Sequence, residues 1–406
     1  MIRFVLPVVV FAALSCSGAA DRPRYVLGAV EFSGPPGSAE PNLFTTGDGS
    51  VLMSWHEPTG EETHALRMAV RTEHGWSEPV TVAQDREFFV NWADFPSVVE
   101  QFDGTWAVHW LEKVASPPFA YHIMLSRSTD QGQTWSEPLR AHHDKSLTEH
   151  GFVSMIPLRE GGVSLLYLDG RNTGPNPDGQ GRGPMSLRYN AVKPDGTLGK
   201  ELLVDNRICD CCQTAMVRMD NGYFVAAYRD RSEEEIRDIA VSRLIDGEWT
   251  DPRVVGNDNW HITACPVNGP SLSSAGDDVA LAWFAAPDGD KHVSVVFSRD
   301  GAETFGTPIR VDDGNPSGRV DIEFMNDGSA LVVWLEQMDE GAAIRARRVE
   351  ASGVLGDPWT VASTSAVRRS GFPRLTTTGD EVVFAWTLVG DEGGVRVVSG
   401  RRAGGR

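Results

Sequence analysis

Trp55-His56-Glu57, Trp110-Leu111-Glu112, Tyr167-Leu168-Asp169, Tyr228-Arg229-Asp230, Trp283-Phe284-Ala285, Trp334-Leu335-Glu336 and Trp386-Thr387-Leu388 are one short pattern written seven times. In each, an apolar run ends in an aromatic residue, and in five an acid follows two positions later. Successive aromatics lie 55, 57, 61, 55, 51 and 52 residues apart, a regularity that marks one structural unit repeated along the chain.

Each unit reads as four short strands. A first strand such as Ala39-Glu40-Pro41-Asn42-Leu43-Phe44 leads through a Gly/Asp turn into the strand ending in the aromatic. A third follows, for example Ile123-Met124-Leu125-Ser126-Arg127, with the alternation of a half-buried strand. The fourth begins near a turn of the type Trp76-Ser77-Glu78-Pro79, Trp135-Ser136-Glu137-Pro138 or Trp249-Thr250-Asp251-Pro252. Four strands per unit is a propeller blade, so the expectation is an all-β propeller of seven four-stranded blades. The seventh unit stops after its third strand, around Val395 to Ser399, and residues 25–32 are expected to supply its missing outer strand. Closing the ring in this way removes an exposed sheet edge. The 42 glycines and 24 prolines are spread along the chain, as many short strands joined by turns require.

Ser128-Thr129-Asp130-Gln131-Gly132-Gln133-Thr134-Trp135 fits Ser-x-Asp-x-Gly-x-Thr-Trp at every defined position, and Ser298-Arg299-Asp300-Gly301-Ala302-Glu303-Thr304-Phe305 is a degraded second copy. With these boxes the chain resembles the sialidase (BNR, or Asp-box) superfamily over roughly residues 25 to 402. The resemblance implies a propeller whose boxes join third and fourth strands on the face away from the active site. The family's sialidases are six-bladed, and six blades is the alternative count. They hold a carboxylate with three Arg residues and use a Tyr nucleophile paired with Glu, together with an Asp acid/base. Here the Arg of the first-blade motif is absent from Ser38-Ala39-Glu40-Pro41-Asn42-Leu43, and the last tyrosine is Tyr228, an anchor of the repeat. The sequence therefore carries the fold without the sialidase catalytic motif.

The N-terminus is a basic start, an apolar run from Phe4 to Leu14 and small residues to Ala20, the form of a secretory signal over residues 1–20. Ala13-Leu14-Ser15-Cys16 has the form of a lipobox, which makes Cys16 a lipidation candidate and the protein a periplasmic or outer-membrane lipoprotein; cleavage after Ala20 would give a soluble periplasmic protein. Residues 21–406 are expected to form the single propeller domain, with contact to a membrane only through the lipid. The formal net charge of −19 argues against a nucleic-acid partner, because phosphate binding is driven by clustered Lys and Arg. The sequence leaves oligomeric state open.

Two groups of residues carry the chemistry. Cys209-Asp210-Cys211-Cys212 and Cys265 fall at the same point of the repeat, the loop leading into the innermost strand of the fourth and fifth units. Neighbouring blades bring such positions together, so the four sulfurs are expected to meet on one face. Three readings stay open there: a disulfide from Cys211 or Cys212 to Cys265, a thiolate site for copper or zinc with His261 as a further ligand, and thiol–disulfide exchange.

The second group lies in the loops after each anchor, on the same face. Glu57, Glu112, Asp169, Asp230 and Glu336 are candidate catalytic acids, and Arg171, Arg229, Arg231 and Arg237 are candidate ligand-binding residues. The alternative for the repeated acids is a structural role in capping their loops. The segment 172–184, rich in Gly and Pro, is expected to be an irregular rim. The leading expectation is an exported propeller that binds a small-molecule or glycan ligand, with copper or zinc as the possible cofactor. The rivals are an exo-acting glycoside hydrolase and a non-catalytic scaffold.

Overall fold

A computed structural model describes residues 25–116, 119–174 and 183–403. The signal and lipobox segment with Cys16 lies outside these residues, as does most of the expected rim.

The seven repeats form seven antiparallel sheets, the first six running from inner to outer strand in chain order and the seventh completed by the N-terminal strand. The inner strands of blades 1 to 7 are Ala39–Thr45, Ser97–Glu100, His150–Pro157, Ala215–Arg218, Ser271–Ala275, Pro316–Phe324 and Arg374–Thr378. The second strands carry the anchors near their ends and run one to three residues beyond them, and all seven anchors are at most 6% exposed. Helix is confined to two single 3₁₀ turns among the described residues. Seven blades, rather than six, is therefore what the repeat spacing encodes.

Blade 7 consists of Arg374–Thr378, Glu381–Leu388 and Gly394–Arg402. Tyr25–Ser33 adds the outer strand, paired from Tyr25 opposite Arg402 to Ser33 opposite Arg396 with register shifts on either side of Val30. That strand also ties blade 7 to blade 1, because the Phe32 ring meets Trp55 edge-on at 5.2 Å and Arg71 donates to Glu31 at 2.7 Å. The first and last described strands are thus held by main-chain bonds in one sheet.

The anchors are more than apolar plugs. A buried indole N–H or phenol O–H is costly without a partner, and in five blades a carboxylate takes it. Trp110 donates to Glu112 at 3.3 Å, Tyr167 to Glu201 at 2.9 Å, Tyr228 to Asp205 at 2.7 Å, Trp283 to Asp258 at 2.7 Å and Trp334 to Glu336 at 2.6 Å. The indole N–H groups of Trp55 and Trp386, which flank the closure, have no such partner among the described residues.

Both boxes close the turn between third and fourth strands, in blades 2 and 5. In the first, the Asp130 carboxylate accepts from Thr134 N–H at 2.9 Å and its hydroxyl at 2.6 Å, and Ser128 Oγ accepts from Gly132 N–H at 2.7 Å. The Thr134 hydroxyl and backbone hold the Asp130 carboxyl down at about 2. The second box repeats these bonds, with Ala302 at φ 59° where the first has Gly132 at φ 83°. Its side chain is tolerated in a conformation that favours glycine.

Candidate functional site

The loops leading into the inner strands and those leaving the second strands open on one face, opposite the boxes. Backbone strain collects there. Glu40, Phe152, Val267 and Arg319 adopt φ of 56°, 52°, 48° and 57° at or just before the inner strands of blades 1, 3, 5 and 6. Left-handed backbone at non-glycine positions is costly, most of all for a β-branched residue, and persists only where the surroundings fix it. At two of these residues a polar side chain of the preceding blade fixes it. Asp94 accepts from Phe152 N–H at 2.9 and 2.8 Å through its two oxygens, and Asn268 Oδ1 accepts from Arg319 N–H at 2.7 Å.

Blades 2 and 3 bring three histidines together on this face. His122 opens the third strand of blade 2, Tyr121–Ser128; His142 follows the outer strand Leu139–Arg140; His150 begins the inner strand of blade 3. The rings stack, His142 on His150 at 4.1 Å and His122 on His142 at 4.8 Å, and His122 Nδ1 lies 2.9 Å from His142 Nε2. Three imidazole donors thus lie within 4.8 Å of one another. His150 Nδ1 faces the carbonyls of Thr148 and Tyr121 at 3.1 and 3.3 Å, while Nε2 faces Asp144 at 3.1 Å and Asp169 at 3.6 Å. His142 Nδ1 is buried without a partner among the described residues. Burial, then the charge of His150, pushes His122 down to about 4 and His142 further below the ordinary range.

Glu149 precedes this stack and is half-buried. Its Oε1 accepts from the Tyr121 hydroxyl at 2.5 Å, and the Tyr121 ring is stacked on Phe89 at 3.9 Å, which fixes the phenol. Burial raises the Glu149 carboxyl to about 8 against the pull of Tyr121, with the negative charges of Asp94, Asp210 and Cys209 adding to the rise. Asp94, fully buried, is raised by burial to about 7 even though Phe152 N–H favours its ionised form. Carboxyls displaced upward toward neutrality stand on the face, a chemistry that burial produces and, at Glu149, nearby like charges reinforce.

Blades 4 and 5 bring the cysteines together, as their shared place in the repeat implies. Cys211 and Cys265 form a disulfide across the blade boundary, with Cα atoms 6.1 Å apart. Cys209 Sγ lies 2.7 Å from Cys212 Sγ and 3.9 Å from Cys211 Sγ. Cys209 and Cys212 are buried and unbridged, whereas Cys265 is exposed. Burial disfavours the Cys209 thiolate, but the hydrogen bond from Cys212 and the Arg237 guanidinium at 3.5 Å outweigh it and hold that thiol below its ordinary value. Burial and the neighbouring Cys209 drive Cys212 the other way. Cys209, Cys211 and Cys212 are close enough to share one ion, and so are Asp210, Cys211 and Cys265; His261 is exposed and belongs to neither group.

The Arg residues singled out in the sequence frame this cluster or the stack. Arg229 is 1% exposed and spends its guanidinium on the carbonyls of Asn268, Arg237 and Phe284, at 2.8, 2.6 and 2.5 Å. Arg231 and Arg237 share the Glu235 carboxylate, at 2.7 and 2.8 Å, and both also face Asp210. Arg171 clamps Asp169 and Glu201 at 2.6 and 2.8 Å. Each acid after an anchor is also engaged: Glu57 with Arg67 at 3.0 Å, Glu112 with Arg86 at 2.5 and 2.9 Å, and Glu336 with Asn315 N–H at 2.6 Å beside its indole. Asp230 accepts from Arg231 N–H at 2.7 Å and is raised to about 6 by burial.

His122, His142, His150, Asp94, Glu149 and Tyr121 form no motif in the sequence. One signal was available: Glu149-His150 occupies the same repeat position as Cys209 to Cys212 and Cys265, the loop leading into an inner strand.

A propeller with boxes on one face and titratable clusters on the other is a sialidase-like architecture. The family model described as BNR repeat-like domain matches residues 49–347, and the chain belongs to that family. Among solved structures it is similar to a protein of unknown function from Dyadobacter fermentans, at 15% identity over 94% of this chain and 100% of that one, with TM-score 0.53. It is also similar to an ulvan lyase, a polysaccharide lyase, solved bound to GlcA(1-4)Rha3S, at 11% identity over 92% and 95% of the two chains, with TM-score 0.58. A third is an α-L-arabinofuranosidase from Fusarium graminearum in complex with an iminosugar inhibitor, at 13% identity over 94% and 97%, with TM-score 0.51. No curated protein matches the chain.

Proposed function

We propose that this propeller acts on a glycan, cleaving a glycosidic link at the junction of blades 2 and 3 with Glu149 as the proton-transferring group. The observation that carries the reading is the Tyr121–Glu149 pair, a half-buried carboxyl raised to about 8 and hydrogen-bonded at 2.5 Å to the buried phenol of Tyr121. A general acid works best when its proton is held near the operating pH, and burial supplies that shift here. At neutral pH Glu149 carries a proton that it can give to a departing glycosidic oxygen. The Tyr121 hydroxyl then faces the carboxylate that remains. Asp94 holds the backbone at Phe152, two residues beyond the His150 imidazole, so its role is to position the loop on which Glu149 sits. That glycan-active proteins such as the ulvan lyase and the arabinofuranosidase share this fold supports the reading by analogy alone.

The test is a panel of neutral, sialylated and uronate-containing oligosaccharides incubated with the full chain, followed by product mass and by ultraviolet absorbance. Hydrolysis adds one water per cut, and elimination at a uronate leaves an unsaturated sugar. Turnover of at least one class is expected. The absence of any product across the panel would overturn the reading in favour of a ligand-binding or scaffold role.

A further inference from the structure

The four cysteines stand in an order that the glycan reading does not use. The buried, unbridged pair Cys209 and Cys212 touches at 2.7 Å, closer than two non-bonded sulfurs ordinarily sit. One member of the pair is 3.9 Å from the disulfide-bonded Cys211, whose partner Cys265 is exposed. The sulfurs therefore run from a buried dithiol, through a disulfide, to the surface. Their surroundings favour thiolate at the inner end, where the Arg237 guanidinium donates to Cys209 Sγ at 3.5 Å. Arg237 is itself buried and is fixed by Glu235, so the donor is part of the built site.

We propose that the four cysteines form a thiol–disulfide relay in which the Cys209–Cys212 dithiol exchanges with the Cys211–Cys265 disulfide and presents the result at Cys265. In the first step the Cys209 thiolate attacks Cys211 Sγ; the Cys209–Cys211 bond forms, the Cys211–Cys265 bond breaks, and the electron pair leaves on Cys265, which takes a proton from solvent. In the second, the Cys212 thiol gives up its proton and attacks Cys209 Sγ; the Cys209–Cys212 bond forms and the electron pair leaves on Cys211, which is then protonated. Two electrons and two protons pass from the inner pair to the outer one, and the number of thiols stays at two. No outside oxidant or reductant is consumed. Exchange needs only thiolate, contact and a leaving sulfur, all of which the cluster supplies.

The test is alkylation of the folded full chain under nitrogen with a small maleimide, then peptide mapping of which sulfurs carry label and which are bridged. Label at Cys265, with a Cys209–Cys212 bridge in the same molecules, is the expected result. Cys209→Ser is expected to reduce Cys265 labelling at least tenfold. Cys212→Ser is expected to keep Cys265 labelling and trap a Cys209–Cys211 bridge, which distinguishes exchange from simple loss of structure. Unchanged labelling of Cys265 in Cys209→Ser would overturn the relay. So would two permanent bridges with no thiol to label, or a stoichiometric copper or zinc ion that protects all four sulfurs.

Discussion

The imidazole–carboxyl cluster of blades 2 and 3 and the thiol cluster of blades 4 and 5 occupy equivalent loops of one face, yet they are held in different ways. The first is assembled from residues far apart in the chain, Asp94, Tyr121, His122, His142 and Glu149-His150, and its protonation is set by burial. In the second, three of four sulfurs come from one tetrapeptide, and a guanidinium donor opposes burial at Cys209. The lesson is that the propeller's approach loops provide a common platform, and the local balance of desolvation against hydrogen-bond donors decides what each platform does. Glu149, which feels both Asp94 and Cys209, is where the two meet.

The strongest way to break this division is to remove one chemistry and measure the other. Glu149→Gln is expected to lower turnover on whichever glycan the panel identifies by about 10³-fold, the usual worth of a positioned proton donor. Cys265→Ser should leave that turnover within about threefold. Equal losses from the two would show a single site instead of two.

Next in size is the bridge across blades 4 and 5. Replacing both Cys211 and Cys265 by Ser removes a cross-link spanning 54 residues, for which loop entropy predicts a loss of up to about 4 kcal/mol. The urea midpoint reads that loss. The glycan-cleaving pH profile should not move, because Cys209, the sulfur whose charge reaches Glu149, is left in place.

A titration sharpens the carboxyl side. Glu149 is raised in the fold to about 8 from an ordinary value near 4.5, so the folded state binds its proton more tightly than the unfolded chain. The stability that this gives is complete below the unfolded value and is lost as pH rises through the folded one. Gln does not titrate. The melting temperature of Glu149→Gln relative to the native protein should therefore climb between about pH 5 and 8 and level off above. A gap independent of pH would mean that the carboxyl is not displaced.

Much of the architecture was legible because repetition amplifies a weak signal. One aromatic anchor is unremarkable, but seven at near-constant spacing specify blade number, and the missing outer strand of the seventh unit specifies how the ring closes at Tyr25–Ser33. The acids after the anchors show the limit of the same logic. Glu57, Glu112, Asp169 and Glu336 lie within the second strands and not in the loops after them, and whether a repeated carboxylate faces a ligand or an indole depends on the neighbouring side chains. The structure gives Glu112 and Glu336 to Trp110 and Trp334.

By itself the sequence determined the propeller, the count of seven, the place of both boxes and the convergence of the four cysteines, because these follow from local pattern and blade periodicity. Only the tertiary structure decided which sulfurs pair and that three histidines and the displaced carboxyls of Asp94, Glu149 and Asp230 share the face with them. Contacts between blades join residues from separate repeat units, and the desolvation that sets their chemistry exists only once the ring is closed.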